Sequence, residues 1–174
     1  MPNQEAKTPP AWPSEDLHAA MAKLIRADFG EIIWRDRNRF GPIASAVSPI
    51  SGRTYLYDAV VSGKLSAAKW LVRLGGQVRE AEARTPTQPS PWQAALSAAD
   101  PLPMLRVLLT SESLTTAALG QCADDLLALS RRASSRHQVM AAHEAYCDAC
   151  RRAGRVAVER PAVGADVAKR QPAW

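Results

Sequence analysis

The stretch from Gly52 to Arg79, GRTYLYDAVVSGKLSAAKWLVRLGGQVR, limits this chain more than any other, because it reads as two short helices each closed by glycine. Leu56 and Ala59 space the first helix, which stops at Gly63. Leu65, Ala68, Trp70, Leu71 and Leu74 then set an apolar stripe at i, i+3, i+5, i+6 and i+9 along the second. Gly75-Gly76 ends it, since glycine enters the left-handed backbone region without a Cβ clash. A chain punctuated in this way folds as helix pairs.

Ten residues of the stretch (Gly52, Thr54, Leu56, Ala59, Gly63, Leu65, Lys69, Leu71, Gly75 and Val78) fall at positions that define an ankyrin repeat, so the segment resembles one. The resemblance implies an all-α fold, a short ankyrin-like solenoid of stacked helix pairs with atypical capping helices, and a protein-binding rather than catalytic role. Three positions depart from the family pattern. Tyr55 stands in the place of proline, Tyr57 in that of histidine, and Ala68 in that of a larger aliphatic residue, with Trp70 placed to refill the volume.

A degenerate second copy follows at about 90–110. Ser90-Pro91-Trp92-Gln93-Ala94-Ala95 occupies the start of its first helix, with Ser90 as N-cap and Pro91 in the first turn. Leu102, Met104, Leu105, Val107, Leu108 and Leu109 make its second helix, and Trp92 reads as core. The extra residues between the copies fall in the polar stretch Arg79–Pro89. Before the repeats, a helix starts at Ser14-Glu15-Asp16, runs through Leu17, Met21, Leu24 and Ile25, and is expected to end at Phe29-Gly30. After them, Leu114 to Leu129 is helical in pattern, and Ser134 or Ser135 caps a last helix carrying Val139, Met140, His143, Cys147 and Cys150. The expected organisation is a flexible N-terminus at 1–13, an ankyrin-like helical domain at 14–154 and a flexible basic tail at 155–174.

In the ankyrin family, partners lie in a concave groove of hairpin tips and first helices. Carried onto this sequence, the groove positions are Arg53, Val61, Ser62 and Lys64, with Pro89, Ser97 and Ala98 in the second copy. Two loops are expected beside them. Trp34–Ser51 brings Arg35, Arg37, Arg39 and Phe40, and Arg79–Pro89 brings Arg84. Arginine and aromatic side chains are frequent interface anchors. The competing reading packs Trp34 and Phe40 inward as a cap over the first repeat.

The formal charge of +5 is uneven. Residues 1–130 hold 13 basic and 13 acidic side chains, whereas 131–174 hold nine basic against four acidic. A basic end can contact nucleic acid or an acidic surface, but only Trp174 supplies the aromatic interleaving of a single-strand binder, so nucleic acid is the alternative rather than the leading partner. His143, Cys147 and Cys150 fall on one helix face with zinc-ligand chemistry, and Cys122 or His137 would have to complete a site; packing as small apolar residues is the favoured reading and no metal is expected. Asp124-Asp125 reads as a solvated face, because adjacent helical residues point about 100° apart.

Neither G-x-G-x-x-G nor G-x-x-x-x-G-K-[ST] occurs, and the histidines lack a patterned serine or acid partner, so no enzyme and no cofactor are expected. With no apolar run near the ~20 residues of a membrane span and no signal-like N-terminus, the reading is cytoplasmic and monomeric, without membrane contact. Three cysteines make a poor disulfide framework. Abundant alanine and arginine suggest a bacterial gene. The function expected is a module that binds one protein partner of unknown identity, as an immunity protein, inhibitor or chaperone. The alternatives are a host-directed effector and a nucleic-acid or acidic-surface binder acting through the C-terminal region.

Overall fold

The computed structural model describes residues 14–79 and 89–158. The expected flexible terminus at 1–13, Arg84 with most of its loop, and tail residues 159–174 lie outside the described residues. All regular structure among the described residues is helical, apart from an isolated antiparallel bridge between Val47 and Thr54. The chain divides into two compact units, Met1–Gly76 and Gln77–Trp174.

The first unit holds α1 (Ser14–Arg26), α2 (Gly30–Arg35), α3 (Arg37–Ala44), α4 (Tyr55–Val61) and α5 (Leu65–Arg73). The helix pair read from the repeat is α4–α5. Thr54 caps α4 by accepting from the Tyr57 amide at 3.2 Å. Gly63 and Gly75 take φ of 66° and 89°, and each sits in a Schellman turn. Lys64 N–H reaches the Ala59 carbonyl at 2.8 Å, and Gly76 N–H reaches that of Leu71 at 2.9 Å.

Helix α1 closes in the same way but with an aspartate. Asp28 has φ 58°, and Phe29 N–H bonds the Leu24 carbonyl at 2.9 Å. Aspartate is among the few L-residues that visit this region routinely. The expected stop at Phe29-Gly30 is therefore corrected. Gly30 is buried and opens α2, which lies directly on α5: a Cβ at Gly30 would stand 2.2 Å from the Ser66 carbonyl oxygen. No other residue fits there.

The second correction concerns 34–51, which the sequence reads as a long loop. Most of it is helix, in α2 and α3, with an irregular segment only from Ser45. Phe40 is 3% exposed, a core residue of α3 rather than an open anchor. Trp34 stacks on Trp70, ring centroids 4.8 Å apart. Trp70 thus meets α2. Tyr55, in the place of the family proline, is buried and hydrogen-bonds His18 of α1.

The second unit holds α6 (Pro91–Leu96), α7 (Leu102–Leu109), α8 (Thr116–Arg132) and α9 (Arg136–Arg152). Here α6 pairs with α7, α8 with α9, and α7 also packs on α9. A full capping box starts α6, with Ser90 and Gln93 exchanging side-chain and backbone bonds. Thr115 and Ser135 cap α8 and α9. Trp92 is fully buried, and its indole N–H donates to Asp125 at 2.8 Å. Past α9 the described chain continues to residue 158. Val158 N–H donates to the Tyr146 hydroxyl at 2.8 Å, and Arg155 bonds the Gly120 carbonyl at 2.8 Å. No helix among the described residues is long and apolar enough to cross a membrane.

Asp28 does a second task. Lys64, at the N-cap of α5, makes no side-chain cap bond, and the Ala67 amide is instead capped by the Asp28 carboxylate at 2.9 Å. Replacing Asp28 by alanine removes a cap worth about 1 kcal/mol and leaves a side chain with no local bond in the left-handed region, at about 1 kcal/mol more. Asp28→Gly should lose the cap alone, and Asp28→Asn should be mildest. Urea unfolding followed by helical circular dichroism would show that order, and equal stability of the alanine and glycine variants would contradict it.

Candidate functional site

The site is built on the entry to α4. From Val47 the chain turns through a short hairpin closed by the Val47–Thr54 bridge and by Ser48 N–H bonding the Arg53 carbonyl at 2.7 Å. Ser48 is buried at its base and also accepts from the Ile50 amide at 3.2 Å. Ser51 ties the tip to the helix, its hydroxyl donating to Asp58 at 2.6 Å. Arg53 lies over the Tyr57 ring at 4.9 Å. The tip is thus fixed against α4 by a side-chain hydrogen bond, a bridge and a cation–π contact.

What this frame holds outward is apolar. Ile50 is 64% exposed, Val61 57% and Val47 50%. Tyr57 and Val61 stand four residues apart and so share one face of α4, while Asp58 and Ser62 pair likewise about 100° round the helix. Of the positions expected from the sequence, Arg53, Val61 and Ser62 are exposed here and Lys64 is half-buried at the turn into α5. Arg37 and Arg39 are exposed on α3, where Arg39 lies 5.9 Å over the Phe40 ring. Ser97, in the second unit, is exposed and bonds the Gln93 carbonyl at 3.0 Å.

The sequence points to neither Val47 nor Ile50 as a contact residue, and marks Tyr57 only as a departure from the family histidine. Val47 and Ile50 sit in a stretch that carries no periodicity, and only the hairpin brings them beside α4. A usable signal was present: Pro49-Ile50-Ser51-Gly52 is turn-rich sequence with one large aliphatic residue in it.

Other clusters are closed by internal bonds. A cleft of about 370 Å³ beside α7 and α9 is lined by Arg106, Glu144, Asp148 and Arg151 among others. Its charges pair with one another, Arg106 with Glu144 at 2.6 Å and Arg151 with Asp148 at 3.1 Å. Arg152, on the same wall, caps the carbonyls of Leu109 and Ser111. Asp124 and Asp125 point apart, but they are partnered rather than simply solvated. Asp124 meets Arg155 at 3.0 Å, and Asp125 takes Trp92 and Arg79.

Cys147 and His143 bond each other at 3.5 Å, and the far nitrogen of His143 lies 3.2 Å from the Val158 carbonyl. Cys122 faces Arg79 at 3.4 Å instead of joining them. Burial pushes the Cys122 thiol above its usual range, and the bond from Arg79 opposes that rise. Among the described residues no three metal-ligating side chains converge.

The described residues define an all-helical protein of packed helix pairs. No protein-family model, curated protein or solved structure matches the chain.

Tyr55 links this face to pH. Burial raises its phenol above the usual value, and a bond with Ser48 at the hairpin base opposes the rise. Above about pH 10 the unfolded chain releases that proton while the folded chain keeps it, so stability should fall as pH rises through this range. Tyr55→Phe should flatten the decline in denaturation midpoint between pH 9 and 11. An unchanged slope would show that this hydroxyl is not the group responsible.

Proposed function

We propose that this chain is a non-catalytic, ankyrin-like module that binds one protein partner through the hairpin–α4 face. The observation that carries the reading is the hairpin tied to α4 by the Ser51–Asp58 bond, with Val47, Ile50 and Val61 exposed and Arg53 over the Tyr57 ring. Apolar residues fixed outward within a polar surround mark interaction surfaces, and arginine and tyrosine are enriched there. These are contact groups, not a nucleophile with its base. A small binder of this kind suits an inhibitor, a chaperone or an immunity protein acting on a single target.

The alternative reading, in which the C-terminal arginines bind nucleic acid, has less support. Arg151 and Arg155 are ion-paired and Arg152 caps α7, so these three are already engaged within the second unit.

A pull-down with the tagged full chain at moderate and high salt tests the proposal. A protein partner should survive high salt and be reduced about tenfold or more by Ile50→Asp or Val61→Asp, since a charge buried at an interface core costs more than 1.4 kcal/mol. Capture of nucleic acid lost at high salt, or a partner indifferent to both substitutions, would overturn it.

A further inference from the structure

A second surface of the first unit is built quite differently. Because Gly30 rests on the Ser66 carbonyl, the residues one helical turn on from each, Trp34 and Trp70, meet face to face. Their planes differ by 21°. Each ring of the stack has a cation over it. The Arg37 guanidinium lies 5.2 Å from the Trp34 ring centroid, and that of Arg73 lies 4.7 Å from the Trp70 centroid, with the Lys69 ammonium 5.3 Å from the same ring. The result is a ladder of guanidinium, indole, indole and guanidinium running over α3, α2 and α5.

Arg37, Lys69 and Arg73 are all exposed, and none makes an ion pair among the described residues. Nearby Arg35 differs, being paired with Asp36 at 3.5 Å. Three like charges gathered on stacked rings repel one another, and an anion relieves that repulsion. The guanidinium groups also select the anion. Arg37 and Arg73 make no hydrogen bond or ion pair among the described residues, and a guanidinium with free N–H donors can grip a carboxylate with two parallel bonds. Single-stranded nucleic acid would need an open ring face on which to stack a base. Here the indoles stack on each other and each also has a cation within 5.3 Å of its ring centroid, so both rings are already engaged.

We infer that this ladder is a docking site for an acidic protein segment, whose Asp or Glu carboxylates are held edge-on by Arg37 and Arg73 with Lys69 adding charge. The inference rests on the protein-binding reading only in taking the ligand to be polypeptide. It uses none of the hairpin–α4 residues, so the two can fail separately.

The test uses the full chain and a fluorescein-labelled twelve-residue peptide of alternating Glu and Gly, followed by anisotropy and by tryptophan emission. Binding should be saturable at low salt, shift tryptophan emission, and weaken as salt is raised. The double change Arg37→Gln with Arg73→Gln should weaken it about tenfold or more, whereas the charge-matched pair Arg131→Gln with Arg132→Gln should change it less than about twofold. Should the glutamine pair fail to fold, Arg37→Lys with Arg73→Lys keeps the charge but not the planar fork, and is expected to weaken binding severalfold. Val61→Asp should leave peptide binding intact even if it abolishes capture of the partner.

Three results would overturn the inference: no saturable binding, equal loss in the ladder and control pairs, or unweakened binding to the lysine pair. Displacement of the peptide by a single-stranded oligonucleotide at lower concentration than by unlabelled peptide would likewise overturn it, in favour of a nucleic-acid surface.

Discussion

The first unit depends on one aspartate held in a backbone conformation that most side chains avoid. Asp28 ends α1 in the left-handed region, and from that position its carboxylate caps α5, 39 residues further along the chain. Two local problems are solved together: α1 needs a turn-forming residue at its C-terminus, and α5 lacks a side-chain cap of its own. The coupling also fixes what comes next. With the α1–α2 turn tied to the start of α5, Gly30 is brought onto Ser66 and the two tryptophans are brought together. The hairpin–α4 face then belongs to one helix of the α4–α5 pair, while the tryptophan ladder joins the other to α2 and α3.

The second unit is organised around a carboxylate too, but one reached by side chains rather than by a helix end. Asp125 on α8 accepts from the Trp92 indole of α6 and from Arg79. A fully buried indole N–H without a partner would cost about 1–3 kcal/mol, and Asp125 removes that penalty while keeping one edge in solvent. Arg79 is less well served, because its Nε is buried without a hydrogen-bond partner among the described residues. Arg152 completes the unit by meeting the carbonyl end of α7, where cations are favoured by the helix dipole.

Much of this architecture could be read along the chain, for identifiable reasons. The α4–α5 pair was legible because its ends are marked by residues with local geometric roles, Thr54 as cap and Gly63 and Gly75 as stops. The same holds for α6, where Ser90, Pro91 and Gln93 spell out the cap before any tertiary contact is considered. By contrast α2 and α3 were hidden. They have only 6 and 8 residues, neither has a side-chain cap bond, and α3 contains Pro42. Helices so short are not stable alone, and these exist because Ile33, Phe40 and Ala44 are buried against their neighbours. The candidate face was half legible. Arg53, Val61 and Ser62 sit on a periodic helix and its approach, while Val47 and Ile50 join them only through the hairpin.

What the sequence determined by itself is the starts and stops of those helices whose ends are locally marked, such as α4 and α6, since caps and left-handed turns depend on bonds within a few residues. It therefore specified an all-helical chain of short pairs. Only the tertiary structure decided which distant side chains meet: Asp28 with α5, Trp34 with Trp70, and Asp125 with Trp92. Those contacts join positions more than thirty residues apart, and no local periodicity encodes a distance of that kind.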